Sequence, residues 1–217
     1  MKHFYKIILV FCLLIFHGCD DFDIENNRRI LLHGTVVNYN DEPIENIKVS
    51  YVVDGSTLGY GRTNSNGFYE FYSLDSSDDS AILKVNKSNS STNYSSYDRY
   101  LGDDRDSKTS FTYNVTLYDA ANLDIVLNNT SGTSSTINYQ VMYPSATCSF
   151  YEDEVEIYGA SECFTNQVNN YDESNTHVQI RTLLNEEIQI VYTINDEEPQ
   201  SISLVLTQSD TTYEIEY

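Results

Sequence analysis

The amino-acid sequence predicts an all-β protein of two tandem β-sandwich domains. Short runs rich in β-branched and aromatic residues alternate apolar with polar side chains, and no helical periodicity of useful length interrupts them. Turn dipeptides such as Asp54-Gly55 and Asn66-Gly67 separate these runs, because both positions of such pairs tolerate positive φ. The length of 217 residues suits one large domain or two small ones.

Taken in order, the first half offers a strand over 29–37, turn chemistry at Asn40-Asp41-Glu42-Pro43, and an alternating strand over 47–53. Further strands are expected over 58–63, 68–73 and 81–85. The stretch 86–110 is rich in Ser, Asn, Tyr and Asp and shows no clear period, so it reads as a long loop of a kind often functional or mobile. The second half begins near Asp119 and offers strands over 123–127, 136–143, 155–158, 178–182, 188–194, 202–207 and 213–217. Ile137, Tyr139, Val141 and Tyr143 share a face there, as do Ile188, Ile190, Tyr192 and Ile194, and as do Ile202, Leu204 and Leu206. Seven short strands with turn signals between them suggest a second sandwich of immunoglobulin-like type over 119–217.

The N-terminal residues read as an address. Lys2 and Lys6 make a positive start, and Ile7 to Phe16 is an unbroken apolar run, too short to span a bilayer as a helix, which takes about 20 residues. The run closes in Phe16-His17-Gly18-Cys19, where a small residue directly precedes a cysteine. This resembles the lipobox of bacterial lipoproteins, with His17 and Phe16 departing from its usual pattern, and Asp20-Asp21-Phe22-Asp23 resembles the acidic tag of Bacteroidota surface lipoproteins. The resemblance implies a signal peptide over 1–18, acylation (palmitate included) at Cys19, a linker over 19–28, and a lipid-anchored place on the outer membrane and cell surface. The other reading is an ordinary secretory signal, or a buried N-terminal strand with an incidental cysteine.

A second resemblance lies in the first half. Gly34, Val36, Asn38, Pro43, Ile44, Ile47, Val49 and Tyr51, followed by Thr63, Asn64, Gly67, Phe68 and Phe71, follow the pattern of the carboxypeptidase regulatory-like, transthyretin-related seven-stranded sandwich. The likeness covers about 29–118 and implies fold rather than activity, since members serve as attached modules without catalytic residues. Pro43 pre-sets φ in the first turn, and Val36, Ile47, Val49, Phe68 and Phe71 are the natural core candidates.

Charge excludes one partner class. With 33 acidic and 12 basic residues the formal charge is -21, and loss of Lys2 and Lys6 with the signal takes it to about −23, which works against phosphate-backbone binding. Nucleic acid is therefore not expected, and membrane attachment would rest on the acyl chains alone. Only one basic residue, Arg181, lies beyond Asp119. Acidic pairs at Asp78-Asp79 and Asp103-Asp104 do not fit an EF-hand loop, so no metal and no cofactor is expected.

Little in the chain suggests catalysis. Cys148 and Cys163 are separated by 15 positions and fit a disulfide of about 3 kcal/mol in the loop-entropy model. Two unlinked cysteines, a metal site and a catalytic thiol remain as alternatives; the last two lack neighbouring ligands and a partnering histidine beyond His33 and His177. No Gly-x-Ser-x-Gly elbow or Ser-x-x-Lys occurs. Asp79-Ser80-Ala81 and Asp210-Thr211-Thr212 resemble short O-glycosylation acceptors. Tyr94, Tyr97 and Tyr100, at every third position beside Arg99 and Arg105, have the composition of a binding loop, the plainer reading being that they cover the sandwich ends. The expected function is a non-catalytic surface module for binding or scaffolding. Its alternatives are capture of a glycan or peptide beside an outer-membrane transporter, and a fimbrial subunit whose segment 211–217 completes a neighbour's sheet.

Overall fold

The computed structural model describes residues 24–76, 80–87, 92–101, 108–131, 134–151 and 166–217. They are organised as sixteen strands, and none of the described residues is helical. In the first sandwich, β1 (Ile24–Asn38) pairs antiparallel with β4 (Phe68–Ser76) on one side. On its other side it pairs in parallel with β7 (Ser110–Thr112) and then β8 (Val115–Leu117). The facing sheet contains β2 (Lys48–Val53), β3 (Ser56–Arg62), β5 (Ile82–Val85), β6 (Ser96–Tyr100) and β11 (Thr147–Tyr151), in the order β11-β6-β5-β2-β3.

The second sandwich places β9 (Ala120–Asn128) between β13 (His177–Leu183) and β16 (Asp210–Glu216). Its other sheet has β12 (Asn166–Asp172), β10 (Ile137–Pro144), β14 (Glu187–Ile194) and β15 (Gln200–Val205), in that order. Six of the seven strands expected in the second half are present and form a sandwich together with β12, but their pairing repeats the first half strand for strand. Lettered A to G within each half, with β7 and β8 together as one strand and β11 set aside, both halves have sheets C-B-E-F and D-A-G with A and G parallel. Immunoglobulin constant domains pair A-B-E-D and C-F-G, so the second half follows the first in topology and departs from the immunoglobulin order.

Three other expectations change. The stretch 86–110 contains a strand, β6, whose alternation is hidden because its inward residues are Tyr97 and Arg99. The expected unit 119–217 gives up 147–151, which cross back as β11 to the edge of β6. Phe68 is 39% exposed, while its neighbour Tyr69 is buried. In a regular strand Phe68 and Phe71 face opposite ways, so only one can be core, and Tyr69, Phe71 and Ser73 take the inner face. The expected strand over 155–158 lies outside the described residues.

Each sandwich has its own core. Ile30, Leu32, Val36, Val49, Tyr51 and Leu83 anchor the first, and Leu123, Ile125, Ile137, Val141, Ile188 and Ile190 the second. The residues that carry the family-like pattern meet around Val36. Its N–H donates to Gly67 O at 2.8 Å and its carbonyl accepts from the Ile44 N–H at 3.0 Å. Gly67 sits at φ 70, and a Cβ there would come within 2.5 Å of the Val36 oxygen, so both conformation and space demand glycine.

The tightest constraint lies two residues earlier on β1. A Cβ on Gly34 would sit 1.9 Å from the carbonyl oxygen of Tyr113, which bulges inward between β7 and β8. That carbonyl also accepts from the buried Tyr69 hydroxyl at 2.8 Å. Where the ladder lapses, the Asn114 side chain stands in for backbone, accepting from the Thr35 N–H at 3.0 Å. Burial, followed by the neighbouring Tyr113 and Tyr97 phenols, holds the Tyr69 hydroxyl well above the ordinary phenol range, so it remains a donor at all working pH. Gly34→Ala must push backbone against backbone, and the expected loss is about 2 kcal/mol or more. Urea unfolding should show a lower midpoint for this variant, and an unchanged midpoint would contradict the packing described.

Candidate functional site

The residues singled out from sequence are dispersed. Cys19, Arg105 and Cys163 lie outside the described residues, as do Asp78-Asp79 and Asp103-Asp104. Tyr94 and Tyr97 pack against the core of the first sandwich. Arg99 lies over the Tyr113 ring at 4.7 Å from its centroid, inside the same sandwich. Tyr100 is three positions from Tyr97 on a strand and so faces the other way. The three tyrosines therefore form no common exposed loop. Cys148 is fully buried on β11, opposite Tyr97 in the register.

The residue that sequence inspection marked only as a charge oddity has a structural role. Arg181, on β13, reaches out of the second sandwich and donates from Nη2 to the carbonyls of Thr92 at 2.6 Å and Tyr94 at 2.8 Å. Burial pulls its guanidinium below its usual value, opposed by the charge of Asp210. Around it the junction is laced by backbone: Ala120 N donates to Asn93 O, Ser95 N to Tyr118 O and Ser96 N to Ala146 O. Thr182 Oγ1 donates to Pro144 O at 2.8 Å in a buried position, and Ala120, Ala146 and Leu183 form a small apolar cluster against Tyr118.

Two clefts flank this junction. One, of about 350 Å³, lies on the outer face of the five-stranded sheet and is lined by Lys84, Lys87, Asp98, Ser96, Thr57 and Thr147. Lys84 is held there by Asp98 at 3.1 Å. The other, of about 310 Å³, opens between the sandwiches, with Tyr39 and Tyr118 on one wall and Leu184, Asn185 and Glu186 on the other, beside Asp119. Tyr39 is 74% exposed, and its ring meets that of Tyr118 at 5.9 Å between centroids. This aromatic pair escaped the sequence reading because Tyr39 sits in a turn. The available signal was an aromatic set among turn-forming residues, Asn38-Tyr39-Asn40-Asp41.

The histidines sit on surfaces. His33 Nε2 lies 3.2 Å from both Ser110 Oγ and Thr112 Oγ1 on an outer sheet face, and His177 pairs with Asp124 at 3.1 Å. Among the described residues no group of His, Cys, Asp and Glu has the arrangement of a metal site. No described helix is long and apolar enough to cross a membrane.

No family model matches the chain, and no curated protein is significantly similar to it. Solved structures align weakly. The Bacillus anthracis TIE protein aligns at 10% identity and TM-score 0.31, over 87% of this chain and 34% of its own, so the chain spans about a third of that protein. A DUF3823 family protein from Parabacteroides merdae aligns at 8% identity and TM-score 0.30, over 82% of this chain and 97% of its own. The shaft pilin SpaA of Lactobacillus rhamnosus GG aligns at 9% identity and TM-score 0.31, over 87% and 97%.

Two outcomes test the junction and the second core. Arg181→Met should remove charged hydrogen bonds worth about 2 kcal/mol at the junction. Calorimetry should then show a lower melting midpoint than the parent's, and an unchanged midpoint would contradict the role given to Arg181. Tyr139, hydrogen-bonded to Asn175 O at 3.0 Å, has its phenol pushed up to about 12 by burial first and then by Tyr171 and Asp172. The fold favours the neutral phenol, so this contribution is full below the unfolded value of 10.0 and is lost as pH rises towards about 12. Tyr139→Phe should flatten the loss of stability across that window, measured by denaturant titration at each pH.

Proposed function

We propose that the chain is a lipid-anchored cell-surface protein acting as a non-catalytic module for binding or scaffolding. The observation that carries this reading is the exposed aromatic cleft at a junction held by backbone hydrogen bonds, Arg181 and a returning strand. Ligand sites favour such interfaces between units, where two rigid walls meet. The address rests on Lys2, Lys6, the apolar run 7–16 and Gly18-Cys19, with only Asp20 to Asp23 between Cys19 and the start of β1. In this reading the first sandwich is of the regulatory-like type, a fold of attached modules.

The polar groups in and near the clefts are arranged for holding. Lys84 is committed to Asp98, and Asp119 and Glu186 are exposed to solvent. A disulfide between Cys148 and Cys163 belongs to the same proposal. It would tie β11, and so the junction, to the segment that follows it.

A fimbrial role by donation of 211–217 is less favoured. That segment is β16, paired along its length with β9 and burying Ile215, so donating it would open the protein's own core.

Replacing Cys19 with Ala should move the protein from the membrane fraction to the soluble fraction of cells; retention would sink the lipid anchor. Under non-reducing denaturing conditions the mature chain should take up no maleimide at Cys148 or Cys163, and labelling at both would remove the disulfide.

A further inference from the structure

We propose that the cleft between the sandwiches binds a neutral hydroxylated ring, the pyranose unit of a glycan, with Tyr39 and Tyr118 as its platform. This rests on the reading of the chain as a surface binding module and names the ligand class for that site. An aromatic ring left 74% exposed has no part in either core, yet the loop that carries Tyr39 is held in place. Asn38 Oδ1 accepts from the backbone N–H groups of Asn40 and Glu42, each at 2.9 Å, and Asn38 Nδ2 donates to Glu42 Oε2 at 2.8 Å. Asp41 takes φ 62 to close the turn. A presented aromatic on a pre-ordered loop loses little entropy when a ligand stacks on it.

The opposite wall is fixed as well. Leu184 N donates to Asp119 O at 2.9 Å, and Asn185, at φ 62, donates from its N–H to Leu206 O at 2.8 Å. The polar lining comprises the Asp119 and Glu186 carboxylates, which only accept, and the Asn185 amide, which accepts and donates. That set matches the hydroxyls of a sugar, whose C–H face packs on aromatic rings while its O–H groups donate outwards.

Charged ligands fit less well. The lining contains no basic residue and the chain carries a formal -21, so an anion finds no partner. A cation would meet two solvent-facing carboxylates, and exposed ion pairs are worth only about 0–1 kcal/mol. The volume of about 310 Å³ admits a ring and excludes a folded partner.

The test uses the full chain in a sugar-free detergent, titrated calorimetrically with neutral gluco-, manno-, xylo- and N-acetylglucosamine oligosaccharides. At least one series should bind, and Tyr39→Ala should weaken it tenfold or more with the melting midpoint unchanged. Glu186→Gln should weaken it less, and Tyr60→Ala, on an exposed tyrosine outside the cleft, should leave it unchanged. Absence of binding across the panel, binding indifferent to Tyr39→Ala, or binding only of tetramethylammonium or of peptides would each overturn the glycan assignment. Cross-linking on intact cells separates this from the broader reading. A reproducible surface neighbour alongside a silent panel removes the glycan and keeps the binding module, and loss of both removes the module too.

Discussion

An unpaired edge of a β-sheet invites further pairing, and in this protein the edge of β6 is covered by a strand that belongs by sequence to the other sandwich. β11 lies parallel to β6 from Thr147 to Tyr151 and puts Cys148 in the interior. Much else follows from that pairing. The chain has to cross the junction after β10, which places Pro144 and Ala146 where Thr182 and Leu183 can pack on them. The short crossing leaves little room for hinge motion, and Arg181 then fastens the same seam from the β13 side. Interfaces between domains of one chain are usually small and polar enough to move, whereas this one is sewn by main chain.

The charge distribution is consistent with such a seam. The sole basic residue beyond Asp119 is spent inside it, on carbonyl groups, where a guanidinium satisfies acceptors that would otherwise be left dry at the meeting of two sandwiches. The rest of the second sandwich presents acidic and hydroxyl side chains to solvent, with no further lysine or arginine among them. A surface of that kind repels polyanions.

Much of the fold was legible because aliphatic alternation was strong where strands are central. β2, β9, β10 and β14 carry Val, Ile, Leu, Ala or Tyr at every second position and bury most of them. The strands that were missed lack that signal for physical reasons. β6 turns Tyr97 and Arg99 inwards, and β12 is an edge strand whose inner side chains include Asn169, donating to the Tyr143 hydroxyl, and Tyr171, stacked on Tyr139. Polar and aromatic residues can pack half-buried at an edge without producing a hydrophobic period. The site was the least legible part. Tyr39 belongs to a turn and Asn185 to another, and nothing in their local sequence says that the two turns meet.

The closing strands bear on how the chain acquires its structure. In each sandwich the last strand, β8 or β16, lies parallel to the first, so neither sheet is complete until its final segment has arrived. For the first sandwich the wait is longer, because the cover for β6 is drawn from residues well into the second. A chain emerging N-terminus first therefore holds its leading half with a raw strand edge until Thr147–Tyr151 has followed. Such long-range closure slows folding and prolongs exposure of a pairing-competent edge.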